Sequence, residues 1–275
     1  MSQWIAGDVL TNGVKIHYTR TGGEKPPLVL LHGFSDNGLC WTRLAKDLES
    51  TYDIIMPDAR GHGLSDGPGE HFSSSDRFAD VAGLISELHL GKPALLGHSM
   101  GAMMAASVAA DYPDLVSCVI LEDPAWRDPS SEDEKASFKD RFGWIYRLKG
   151  LSRDELIEDG RKGNPTWVDE ELGPWADSKI QLNLDLLKIE TIGRGPSWRS
   201  VAERITCPAL LITADTKLGA IVPPAEAQDA VTLMKNGRLV HIEGAGHNIR
   251  REQYEQFKDA VVSFLQEVYL TPASR

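Results

Sequence analysis

Residues 97–101 read Gly-His-Ser-Met-Gly and interrupt an otherwise apolar run, PALLGHSMGAMMAASVAA, from Pro93 to Ala110. Glycine costs a helix interior roughly 0.5–1 kcal/mol relative to alanine. Two glycines flanking one serine therefore mark a backbone held in a shape that other residues resist. A strand, then G-x-S-x-G, then a helix is the arrangement of a nucleophile elbow, which holds the serine oxygen clear at the carboxyl end of the strand. A serine hydroxyl is a weak nucleophile at neutral pH and needs a base, a role to which histidine is suited. GAGHNI (Gly244–Ile249) presents His247 in a glycine-rich stretch. Such a set does acyl transfer: attack on a carbonyl, a covalent intermediate, and release by water.

Elements that would position these residues alternate along the chain. LVLLHG (Leu28–Gly33), DIIMPD (Asp53–Asp58), PALLGHS (Pro93–Ser99), SCVILED (Ser117–Asp123), PALLITAD (Pro208–Asp215) and RLVHIEG (Arg238–Gly244) are nearly continuous apolar runs. Continuous runs fit strands buried on both faces of a parallel sheet. Helical spacing joins Trp41, Leu44, Ala45 and Leu48, then Phe78, Val81, Leu84, Ile85 and Leu88 behind the cap-like SSSD (Ser73–Asp76), then Ala227, Ala230, Val231 and Met234, then Tyr254, Phe257, Val261 and Phe264. VLTNGVKIHYT reads as an antiparallel hairpin around Asn12-Gly13. The pattern predicts an α/β fold with a mostly parallel, doubly wound sheet. It breaks from about Pro124 to Val201, a charged stretch with helical signals that holds Trp126, Trp144, Trp167, Trp175 and Trp198. A structureless loop of that length is improbable. The expected organisation is a core of residues 1–123 and 202–275 with a helical cap, 124–201, over one end of the sheet.

Further stretches add to the elbow. LLHGF ends the first long strand with His32-Gly33-Phe34, and DARGHGLS (Asp58–Ser65) follows the next. With serine, carboxylate and histidine in that order, these segments together resemble the α/β-hydrolase family, over nearly the whole chain outside the insertion. The resemblance implies Ser99 as nucleophile, His247 as base, and an oxyanion hole of the Phe34 and Met100 backbone N–H groups. His32 is expected to support the oxyanion loop, His62 and His98 to shape the backbone, and His17, His71, His89 and His241 to be surface or strand residues. One glycine follows His32, unlike the H-G-G-G type of lipase and esterase. The triad acid is less direct. Family members usually place an aspartate shortly after the seventh strand, where this chain has Ala214 and Lys217 at the pattern's glycine and aspartate. A lysine cannot accept the imidazole N–H bond. The resemblance leaves two candidates: Asp123 in VILEDPA, favoured because some members draw their acid from the end of strand six, and Asp215 in LLITADTKLGA as runner-up, through a reshaped loop.

The activity this implies is hydrolysis of a carboxylic ester or lactone, with a small-molecule substrate. A serine in the elbow disfavours epoxide hydrolases and haloalkane dehalogenases, whose family members use aspartate there. A carbon–carbon bond hydrolase of ring-cleavage products shares the triad, and some members of the fold act as ligand receptors. Of the insertion's tryptophans, most are expected in a small core, with Trp126 and Trp144 lining the substrate pocket. A net charge of −11 argues against nucleic acid and anionic membrane surfaces as partners. No histidine pair has metal-ligand spacing with a carboxylate, so neither a metal nor another cofactor is expected. Cys40, Cys118 and Cys207 are widely spaced without C-x-x-C and read as free thiols. With no basic, apolar leader at the start and no run near ~20 apolar residues, the expected setting is cytoplasmic. No feature of the sequence sets the oligomeric state.

Overall fold

A computed structural model describes residues 4–126, 142–189 and 196–270. The apolar runs become strands of one eight-stranded sheet: β1 (Ile5–Thr11), β2 (Val14–Arg20), β3 (Pro27–Leu31), β4 (Asp53–Pro57), β5 (Ala94–His98), β6 (Cys118–Glu122), β7 (Pro208–Ala214) and β8 (Asn236–Ile242). Their order across the sheet is β1-β2-β4-β3-β5-β6-β7-β8. β1 and β2 form the hairpin expected at Asn12-Gly13, where both residues have the positive φ that a two-residue turn of this type demands. β2 pairs antiparallel with β4, and every later pairing is parallel.

Period-two alternation divides each central strand between two cores. Val29, Leu31, Leu95, Val119 and Leu121 face one side, against α2 (Ser74–Glu87) and α3 (Met100–Asp111). Leu28, Leu30, Leu96, Cys118 and Ile120 face the other, against α1 (Thr42–Leu48). Phe257, Val261 and Phe264 of the long C-terminal helix, Tyr254–Leu270, join α1 on that second face. Covering helices on both faces explain why the strands read as unbroken apolar runs. At the start of α2, Asp76 reaches back to accept the Ser73 backbone N–H at 2.7 Å, as the serine–aspartate pattern predicts.

The chain between β6 and β7 contributes α4 (Trp144–Leu148), α5 (Arg153–Gly163), α6 (Asp169–Gln181) and α7 (Trp198–Arg204), and no strand among the described residues. Part of the predicted cap, residues 127–141 and 190–195, lies outside them. α5 and α6 share an apolar cluster of their own, with Leu148, Leu156, Trp167, Leu172, Trp175 and Ala176. α7 behaves differently: its Trp198, Val201 and Ala202 join the core beside α3 and α8 (Pro224–Leu233). Among the described residues, no helix is long and apolar enough to cross a membrane.

Candidate active site

Ser99 stands between the last residue of β5 and the first of α3, with φ 53° and ψ −111°. That backbone costs on the order of 1–3 kcal/mol for a residue with a side chain and persists because its surroundings dictate it. A Cβ on Gly97 would collide with the Gly101 carbonyl, and one on Gly101 with the Leu31 carbonyl. Only glycines let the turn close on itself while α3 presses against β3. Ser99 donates its N–H to the Glu122 carbonyl at 2.9 Å, and its own carbonyl accepts from Met103 and Ala125. Met100 is the first residue of α3, where N–H groups have no partner within the helix.

Asp123 follows β6 directly, also with a positive φ of 39°, and is fully buried. Its Oδ1 accepts the Val222 N–H at 3.1 Å and its Oδ2 the Ile221 N–H at 2.9 Å. Oδ2 also lies 2.6 Å from His247 Nδ1. An ionised carboxylate only accepts, so this contact places a proton on Nδ1 and leaves Nε2 able to take one. Asp215, by contrast, accepts the Gly244 N–H at 2.7 Å and lies 3.3 Å from His241 Nε2. The Gly244 donor, with His241 beside it, holds the Asp215 carboxyl below its ordinary value. Asp215 thus shapes the turn leading to His247 and pairs with a different histidine.

Three further histidines are buried around these loops. Ala59 donates its N–H to His32 Nε2 at 2.9 Å, so the ring's Nδ1–H donates to the Gly33 carbonyl, tying the loop after β3 to the loop after β4. His62 donates from Nδ1 to the Arg60 carbonyl. His98 donates from Nε2 to the His247 carbonyl at 2.8 Å, its ring centroid 4.7 Å from that of His247. Burial holds all three below the ordinary imidazole value, helped at His98 by the Arg250 charge. They are neutral braces of the loops that carry Phe34 and His247.

Ser99, Met100, Phe34 and His247 open on a cavity of about 480 Å³, within the usual range for small-molecule sites. Met103, Ile221, Phe142, Trp144, Trp167 and Trp175 supply apolar wall, and Asn164, Asn248, Lys179 and Arg251 supply polar wall. Trp144 is half-exposed at this cavity. Trp126 does not line it, which corrects the expectation from the sequence. Its indole stacks on Trp198, centroids 5.4 Å apart and planes 12° apart, within the core beside α3. Trp167 and Trp175 line the cavity instead. An aromatic side chain's type marks it for burial without saying whether a cavity or a core buries it.

A buried ionic cluster beside the cavity has no counterpart in the sequence reading. Asp36, two residues after Phe34, accepts Lys179 Nζ of α6 at 3.0 Å and contacts Arg250 at 3.2 Å and Arg251 at 3.0 Å. Arg251 reaches Glu171 of α6 at 3.1 Å, and Glu122 accepts the Arg250 backbone N–H at 2.9 Å. All six residues are at most 4% exposed. No local pattern could have joined residues up to 215 positions apart.

Comparison with known proteins follows the same lines. The model of the alpha/beta hydrolase family matches residues 28–260. N-formylmaleamate deformylase of Pseudomonas putida is 28% identical over 280 residues, 96% of this chain and 98% of that protein. The crystal structure of E-2-(acetamidomethylene)succinate hydrolase superposes with a TM-score of 0.79 at 24% identity, over 96% of this chain and all of that one. The enol-lactonase of Burkholderia xenovorans does so with a TM-score of 0.76 at 24% identity, over 94% of this chain and all of that one.

Proposed function

The chain belongs to the alpha/beta hydrolase family, and on that premise we propose that it cleaves carboxylic esters or lactones through an acyl-enzyme formed on Ser99. The observation that carries this reading is the 2.6 Å contact of His247 Nδ1 with the buried Asp123 carboxylate, on a loop that shares one cavity with the strained Ser99 elbow. In the reaction, His247 Nε2 takes the Ser99 proton as Oγ attacks the carbonyl carbon. The Phe34 and Met100 N–H groups receive the developing oxyanion, a contribution of ~10²–10³ in turnover for each such donor. Collapse breaks the C–O bond, and His247 returns its proton to the departing alkoxide. Water, deprotonated by His247, then attacks the acyl-enzyme, and the acid leaves as His247 returns that proton to Ser99 Oγ. Asp123 keeps the Nδ1 proton in place and stabilises the imidazolium at both steps.

The same cycle serves an amide, with nitrogen as the leaving atom, and the Pseudomonas putida deformylase supports that as a second reading. It also serves carbon–carbon cleavage. A panel of graded p-nitrophenyl esters, enol and homoserine lactones, N-formyl amides and a ring-cleavage diketone ranks these by kcat/KM. Ser99→Ala should abolish every activity while leaving the melting temperature nearly unchanged, and a fluorophosphonate should label Ser99 alone. A Ser99→Ala protein that keeps more than a few per cent of wild-type turnover would overturn the assignment.

A further inference from the structure

Burying six charged side chains is costly, and apolar residues of similar size often hold a core together as well or better. What a charged node adds is direction. The Asp36 carboxylate grips three side chains on two separate segments: Lys179 on α6, and Arg250 and Arg251, which follow His247 by three and four residues. Asp36 itself follows Phe34 by two residues, and the Asp36 N–H bonded to the Gly33 carbonyl at 3.1 Å makes that stretch one tight turn. On the far side, Glu122 holds the Arg250 backbone while its neighbour Asp123 holds the His247 ring.

We propose that Asp36 is a positioning residue of the reaction: by gripping the Arg250–Arg251 pair from the turn that carries Phe34, it sets the spacing between the oxyanion donor and the base, and through Lys179 it locks α6 to that spacing. The proposal rests on the roles given above to Ser99, Phe34 and His247. Burial alone would raise the Asp36 carboxyl, yet Arg251, Lys179 and Arg250 together hold it well below the ordinary carboxylate range. The grip is therefore ionic throughout the neutral pH range. Displacement of a reacting group by about 1 Å costs on the order of 100-fold, so a node that spans both loops acts on rate through their spacing, beside the wall that Asp36, Lys179 and Arg251 give the cavity.

Asp36→Asn keeps the shape and removes the charge. Hydrogen–deuterium exchange of the stretches 33–41 and 244–253, the rate of fluorophosphonate labelling per folded molecule, and kcat and KM on one good ester are compared with wild type. Exchange in both stretches should rise on the order of tenfold, labelling and kcat should fall by on the order of 10–100-fold, and KM should stay within about threefold. Unchanged exchange in either stretch, or folded Asp36→Asn that labels at the wild-type rate, overturns the proposal. If wild type itself is not labelled at Ser99, the serine reading fails, and the exchange data alone then decide whether Asp36 holds the two loops. Should Asp36→Asn not fold, Lys179→Met takes its place, because Asp36 keeps both arginines. It should loosen 33–41 and α6 while 244–253 stays protected, and no change in 33–41 overturns the proposal.

Discussion

Asp123 and Asp215 each sit one residue past the end of neighbouring strands, and their partners separate them. Replacing Asp123 with asparagine keeps the shape but turns an amide toward His247 Nδ1, which spoils the tautomer; in a serine protease that change costs ~10⁴ in turnover. The Asp215 carboxylate bonds Gly244 and His241 rather than His247, and turnover of Asp215→Asn should stay within about a factor of two or three, as for most surface changes. Measured on one ester, loss at Asp215 with activity kept at Asp123 would place the acid on the other strand. Ser99 and His247 are legible in the sequence because glycines crowd around them locally. Which aspartate meets the histidine is not, because it depends on where Ile221 and Val222 turn their N–H groups. Asp36 was illegible for the same reason, since its partners lie some 140 to 215 residues away.

Between the elements, close approach decides which substitutions are tolerated. Gly101→Ala should prevent stable folding or lower the melting temperature sharply, because its Cβ meets the Leu31 backbone, which cannot rotate away. A variant with wild-type melting and activity would mean that α3 does not press on β3 as described. Trp126 and Trp144 divide along similar lines. Trp126→Ala empties a stacked site in the core and should cost ~3–5 kcal/mol, with the preference among acyl chains unchanged. Trp144→Ala should alter the ratio of rates on long and short acyl esters, with little loss of stability, because the ring is half-exposed at the cavity. Thermal melts and a graded ester series on both variants test the pair. The alternation of strand and helix was readable because each face of each strand needs its own cover. The destination of each tryptophan was not, since core and cavity wall make the same demand for apolar area.

At the scale of the whole molecule, His32, His62 and His98 are all buried and held neutral by that burial. Above the unfolded imidazole value of about 6.5 they leave stability independent of pH. Below it the unfolded chain binds protons that the folded chain refuses, so each costs up to ~1.4 kcal/mol per pH unit until its lower folded value is reached. Asp36 adds a loss only further down, from the ordinary carboxylate value, where the unfolded chain takes a proton that the folded chain still refuses. Urea midpoints between pH 7.5 and 5 should therefore fall steeply from about pH 6.5; a flat profile would mean that these rings are charged or exposed. The sheet itself has another consequence. β6 and β7 run side by side and parallel, Glu122 opposite Ile212, and the Asp123 N–H bonds the Ile212 carbonyl at 2.9 Å. Their ends are one strand spacing apart, about 4.8 Å, and each is followed by an aspartate. On the proposed reading, each of two neighbouring strand ends offers a carboxylate toward the histidine loop, and the shape of that loop decides which one is used.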